Sequence, residues 1–114
     1  MKTIYRGHTY ELDHLDGDGK TILQFVQRRP HHQPKEGVTN QEVLRALIHR
    51  VKLLNEEAPW SGNAEILYHL RMALALHECR AILRHIEKDG LSVENLALNE
   101  EDGHWALRFK DFAS

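Results

Sequence analysis

The stretch AEILYHLRMALALHECRAILRHI, residues 64–86, has the composition of a helix but carries more apolar residues than one buried face can hold. At 100° per residue, its main apolar stripe consists of Ile66, Leu67, Leu70, Ala73, Leu74 and Ala81. Two further stripes consist of Met72, Leu76 and Leu83, and of Ala75, Ile82 and Ile86. One partner helix covers only one stripe, so the other two call for a sheet or for another chain.

The preceding segment supplies that partner helix. Thr39 and Glu42 in TNQE stand three residues apart before an apolar-periodic run, which is the capping-box pattern of a helix start. The short connection EAPWSGN, residues 57–63, then turns the second helix back beside the first. We expect Ser61 or Asn63 to cap the second helix and Gly90 to end it. Residues 39–88 are therefore predicted to form an antiparallel αα-hairpin.

The flanking segments are predicted to be short strands. Residues 1–29 hold two β-rich runs around DGDG and read as a β-hairpin or meander, and residues 30–38, with two prolines, read as a loop. Residues 91–110 read as a short β-hairpin around EEDG. The predicted fold class is α+β, with residues 1–114 as a single domain. Strands from both ends could join in one sheet that covers an extra stripe of the second helix, and self-association is the alternative cover.

Composition limits the function classes. The formal net charge is −2 and the basic residues are scattered, which argues against binding of nucleic-acid polymers. No apolar run approaches the roughly 20 residues of a membrane span, and no signal-peptide core follows the first two residues. The single cysteine, Cys79, lies within an apolar helix and is expected to be a packed thiol. We expect a protein of a reducing cytoplasm.

The sequence offers little for a metal or for catalysis. The nine histidines include His69, His77 and His85 in the second helix, but a spacing of eight residues spreads them around the helix. DGDG resembles part of a calcium loop, yet the position of the loop's last ligand is occupied by Gln27. No nucleophile motif or phosphate loop is present. We therefore expect no metal, no cofactor and no enzymatic activity.

One basic constellation stands out on the second helix. His77, Arg80 and Arg84 share a sector of about 60°, and the two arginines are one turn apart. An antiparallel hairpin brings this sector toward the amino end of the first helix, which also carries partial positive charge. The arrangement calls for an anion. Glu42 and Glu36 can supply it internally, or a ligand phosphate can bind there, and both interpretations stay open.

The hairpin segments GVTNQEVLRALIHRV and NAEILYHLRMALALHECRAILR resemble a family of small tailed-phage and prophage proteins. The family's hairpin domain is shared with anti-CBASS and anti-Thoeris sponge proteins, which sequester cyclic-nucleotide signals of the host. The resemblance covers about 48 residues and rests on Gly37, Val38, Thr39, Asn40, Glu42, Leu44, Arg50, Asn63, Ala64, His69, Leu70, Ala73, Leu74, Arg80 and Arg84. Family members often end in a short Gly-Thr-His tail, whereas this chain continues with HIEKDGLSVENLALNEEDGHWALRF.

Together these features predict a non-enzymatic binding protein of phage or prophage type in the bacterial host cytoplasm. The resemblance implies a cyclic oligonucleotide or another phosphorylated small molecule as ligand. The predicted ligand contacts are Thr39, Arg50, His77, Arg80 and Arg84. A homo-oligomer is expected, with an interface formed by Met72, Leu76 and Leu83. The alternative function is a protein–protein interaction module that uses this outer face of the second helix.

Overall fold

The computed structural model describes residues 1–90, residue 94, and residues 96–101 and 104–109. The chain divides into two compact units, Met1–Asn40 and Gln41–Ser114. In the described part of the chain, three strands are followed by two helices and then by two strands, which confirms the α+β class. The expectation of a single domain stays a prediction.

A three-stranded antiparallel meander opens the N-terminal unit. Its strands are β1 (Lys2–Tyr5), β2 (Thr9–Asp13) and β3 (Lys20–Gln24), in the order β1-β2-β3. Tyr10 of β2 lies opposite Thr3 of β1 and Leu23 of β3, so each strand pairs with its neighbour in sequence. The turn predicted at DGDG is confirmed, and Gly17 there has φ +82°, a left-handed conformation that suits glycine.

The segment after β3 is ordered by hydrogen bonds that the sequence did not predict. The amide of Val38 donates to the carbonyl of Gln24 at 2.9 Å, and the amide of Val26 donates to the carbonyl of Val38 at 2.9 Å. Gln27 and Lys35 exchange two backbone hydrogen bonds of 3.0 and 3.1 Å. At Gly37 an added Cβ would lie 2.4 Å from the carbonyl carbon of Phe25, so only glycine allows this close approach. The predicted loop, residues 30–38, is thus tied back to the end of β3.

The C-terminal unit begins with the predicted helical hairpin. Helix α1 (Asn40–Glu57) starts directly after Thr39, as the capping box predicted, and helix α2 (Gly62–Asp89) ends at Gly90 in the left-handed conformation, φ +67°. Ile48 of α1 and Leu74 of α2 are fully buried.

The prediction of a side-chain cap for α2 is wrong. Ser61 has helical dihedral angles and its side chain makes no cap hydrogen bond, while Asn63 lies inside the helix. Backbone bonds close the turn instead, because the amides of Asn63 and Ala64 donate to the carbonyls of Trp60 and Ser61 at 3.0 and 3.3 Å. The helix start therefore resembles a tightened turn more than a capped end.

The C-terminal strands are β4 (Leu96–Glu101) and β5 (His104–Phe109), paired antiparallel with Leu98 opposite Leu107. Strand β5 lies against α2. The tip of the predicted turn, residues 102–103, lies outside the described residues. The described strands form two separate sheets, so the idea of one sheet built from both ends is wrong. Each strand pairs instead with its neighbour in sequence, the commoner arrangement for short connections.

Candidate functional site

A salt bridge between the helices sets their register. Arg45 of α1 donates through Nη2 to Oε1 of Glu78 in α2, and through Nη1 to Oε1 of Glu42 at 3.0 Å. The side chains of Arg45 and Glu78 are only 11% and 5% exposed. Glu78 lies one turn after Leu74 and one turn before Ile82, both of them buried, so its carboxylate needs a cation at this place.

Sequence reasoning did not find this pair, although a signal was present. An acidic residue at helical spacing within an apolar stripe indicates a buried partner of opposite charge. Because the helices are antiparallel, the bridge between Arg45 and Glu78 places Arg80 about level with Val43, in the first turn of α1. The hairpin thus brings the arginines of α2 toward the amino end of α1.

The basic sector, defined as His77, Arg80 and Arg84, lies along the last third of α2. His77 is half-buried, and both arginines are exposed. Among the residues that the structure describes, neither arginine forms an ion pair with an acidic side chain. Glu42, the expected internal anion, contacts Arg45 instead. The two guanidiniums therefore project into solvent one turn apart.

Two of the predicted ligand contacts, Arg50 and Thr39, lie outside the basic sector of α2. Arg50 lies two residues after the buried Ile48, about 160° around α1, and is exposed on the side away from α2. It is also about 10 Å along the hairpin axis from Arg80. The hairpin does not bring Arg50 to the basic sector. Thr39 directly precedes α1 and belongs to the N-terminal unit.

Two half-exposed apolar side chains lie on the same side of the hairpin as the basic sector. Leu47 lies about 100° from Ile48 around α1, and Ile66 lies about 80° from Leu74 around α2, in the same rotational sense. In an antiparallel pair, the same sense of rotation leads to the same side of the hairpin, and Arg84 lies on that side as well. Leu47 and Ile66 are 41% and 39% exposed. Along the hairpin axis, Leu47 lies about 6 Å from the level of Arg80, whereas Ile66 lies about 21 Å from it. Of these two apolar side chains, Leu47 is therefore the one close to the paired guanidiniums.

The outer face of α2, defined as Met72, Leu76 and Leu83, is uncovered. These side chains are 45%, 66% and 58% exposed, although β5 lies against the same helix. The predicted interface residues thus share an accessible apolar face. Cys79 lies among them and is exposed, so the expectation of a packed thiol is wrong, because Cys79 lies about 140° around α2 from the buried Leu74.

The turn between the helices forms a shallow cleft of about 420 Å³. Its lining consists of Asn55, Pro59, Trp60, Ser61, Ala64 and Leu67. Asn55 organises the turn, since its Oδ1 accepts hydrogen bonds from the Trp60 amide at 3.1 Å and from Asn63 Nδ2 at 2.9 Å. None of the predicted ligand contacts lines this cleft.

A buried histidine was also missed. His8, in the connection between β1 and β2, is 2% exposed, and neither ring nitrogen has a hydrogen-bond partner within the described part of the chain. Its ring packs edge-on against Tyr5 at 5.7 Å, and Lys35 Nζ lies 3.5 Å from the centre of the Tyr5 ring. Burial lowers the pKa of His8, and the charges of Lys35 and Arg29 lower it further. The sequence around Gly7 and His8 carries no signal of this burial.

Within the described residues, no group of three or more histidine, cysteine, aspartate or glutamate side chains could hold a metal ion. No helix in the same part of the chain is both long and apolar enough to cross a membrane.

Comparison with known proteins gives no relative. No protein-family model matches the chain, and no match was found among curated proteins or solved structures.

Proposed function

We propose that the protein is a non-enzymatic binding protein that holds a small phosphorylated ligand at the basic sector of α2. The observation that carries the proposal is the pair of exposed guanidiniums, Arg80 and Arg84, which have no acidic partner among the described residues. Guanidinium forks match phosphate oxygens and form charge-assisted hydrogen bonds with them. The half-buried imidazole of His77 adds a hydrogen-bonding group at the edge of the same sector.

The proposed ligand class is a cyclic oligonucleotide, as the resemblance to the phage sponge proteins implies. Such a ligand combines phosphates with flat bases that are partly apolar. Two supports agree with this chemistry: the guanidiniums suit the phosphates, and the half-exposed side chain of Leu47, near the level of Arg80, suits a base. The amino end of α1 lies near the level of Arg80 and adds favourable partial charge. In this proposal the protein acts in a bacterial host by removing a signal from solution.

Titration calorimetry against a panel of cyclic di- and trinucleotides tests the proposal. We expect binding that weakens at least tenfold in Arg80→Ala and in Arg84→Ala, and that weakens further as the salt concentration rises. Arg50→Ala is the matched control, because this exposed arginine lies on the far side of α1 and its loss should leave affinity within about twofold. Binding that survives both substitutions on α2 would contradict the proposed site, and an absence of binding to every nucleotide would contradict the ligand class.

The second candidate is a protein–protein interaction module, and the exposure of the outer face of α2 favours it. Leu76 alone is 66% exposed in the middle of this face. Contacts of this apolar kind are nearly insensitive to salt, whereas phosphate binding by arginines is not. Salt dependence of any binding that is detected therefore separates the two candidates.

A further inference from the structure

We propose that His8 makes the packing of residues 27–35 on the corner of the N-terminal sheet sensitive to acid, so that this segment is released when the imidazole becomes protonated. The corner is defined by Tyr5 and His8, and the segment reaches it through Lys35. The inference concerns the N-terminal unit and is independent of the proposed ligand site.

The corner joins three parts of the N-terminal unit. The amide of His8 donates to the carbonyl of Tyr5 at 3.0 Å, and the carbonyl of His8 accepts from the amide of Phe25 at 2.7 Å. Lys35 lies over the Tyr5 ring, which in turn packs against the imidazole of His8. Movement of the His8 side chain therefore disturbs both the turn after β1 and the segment that follows β3.

The buried imidazole tolerates this place only while it is neutral. Two ring nitrogens without hydrogen bonds already carry a desolvation cost, and a buried charge with no acceptor costs far more. The charged groups that act on His8 are Lys35 and Arg29, both cations, and no carboxylate among the described residues forms an ion pair with it. Protonation would place a third positive charge beside these two. The charged ring is therefore expected to move to water, where it can be solvated.

We expect the ring to reach water by an opening of the segment, because Lys35 holds the segment at the corner through the Tyr5 ring and the hydrogen bonds within the segment are local. Gln27 holds it through a 3.0 Å bond from Nε2 to the carbonyl of Gln33, and Arg28 donates to the carbonyl of Lys35 at 2.8 Å. These bonds close residues 27–35 on themselves, and they can persist while the segment lifts from Tyr5. The result is a local opening and not unfolding of the whole chain.

Proton linkage gives the direction in which pH changes the stability of the closed form. The pKa of His8 is lowered below the ordinary value of 6.5, so the closed form binds fewer protons than the open form at acidic pH. The closed form has its full stability above about pH 6.5 and loses it as the pH falls toward the lowered pKa. One proton taken up per opening event changes the opening equilibrium about tenfold per pH unit within this window.

Amide hydrogen exchange of the full chain at pH 7.5 and pH 5.0, corrected for the intrinsic exchange rate, tests this inference. We expect protection at the His8 and Phe25 amides, which donate to the carbonyls of Tyr5 and His8 at the corner, to fall at least tenfold at pH 5.0. His8→Phe keeps an aromatic ring against Tyr5 without a titrating group, so its protection should be equal at both pH values. His14→Phe is the matched control, since His14 is exposed and hydrogen-bonded to Thr21 at 2.7 Å, and should behave as the wild type.

Equal protection of the wild-type chain at the two pH values would overturn the inference, as would a loss of protection at pH 5.0 in His8→Phe. If His8→Phe does not fold, a proton NMR titration of the wild-type histidines decides the matter. A His8 ring that titrates at or above pH 6.5, with unchanged amide shifts at residues 27–35, would overturn the inference equally.

Discussion

Removing the carboxylate of Glu78 is expected to be the most destabilising single change of a charged residue in the hairpin. The side chain is 5% exposed, and its partner Arg45 is 11% exposed, so the substitution Glu78→Ala leaves a buried guanidinium short of one counter-ion. Breaking a buried pair in this way typically costs 3–5 kcal/mol. Because Arg45 keeps its 3.0 Å contact with Glu42, we expect the lower end, about 3 kcal/mol.

Urea denaturation followed by circular dichroism at 222 nm measures this loss. The matched control is Glu65→Ala, which removes an exposed carboxylate from the same helix, 77% exposed and paired with His69 at 3.1 Å, and should cost less than about 0.5 kcal/mol. Replacing both partners, Arg45→Met with Glu78→Leu, should restore most of the stability, since the double substitution removes both charges of this buried pair. A cost for Glu78→Ala no larger than that for Glu65→Ala would refute the buried bridge.

Three further predictions concern the start of α1, the outer face of α2 and the N-terminal sheet. Thr39→Ala should lower the free energy of unfolding by about 1 kcal/mol, because Thr39 precedes α1 at the capping position; no change in a thermal melt would contradict this role. Leu76→Glu should convert a self-associated wild type into a folded monomer of 13.3 kDa by light scattering, and a wild type that is monomeric at high concentration would exclude the interface. A hydrogen bond from Lys20 lowers the pKa of Asp13 from 3.8 to about 2, so the contribution of Asp13 to stability is complete above about pH 4 and is lost as the pH falls toward 2. Urea melts between pH 5 and pH 2 should show that Asp13→Asn removes this dependence.

Local signals predicted the elements well. The capping box placed the start of α1 within one residue, and Gly90 ended α2 where the left-handed conformation was expected. Such signals act over a few residues, so the sequence alone contains them. Ser61 failed as a cap because the backbone of the short turn takes its place, which depends on the geometry of both helices.

Long-range features could be predicted only in part. The helical wheel identified three stripes on α2, but it could not tell that Ile82 of the third stripe would be buried while Leu76 of the second would stay exposed. The bridge between Arg45 and Glu78 joins residues 33 positions apart, and the burial of His8 depends on a contact with a distant segment. The position of Arg50, in contrast, follows from its own helix, because a residue two positions after a buried isoleucine lies on the opposite side of that helix.

The hairpin is fastened at both ends of its helix–helix contact. Near the turn, Asn55 binds the backbone of Trp60 and the side chain of Asn63, and toward the open end Arg45 binds Glu78. Sliding of one helix along the other by a turn, about 5.4 Å, would break both attachments at once. The hairpin should therefore be rigid. We expect it to accommodate a ligand or partner by rotations of its surface side chains on the nanosecond scale, and not by a shift of one helix along the other.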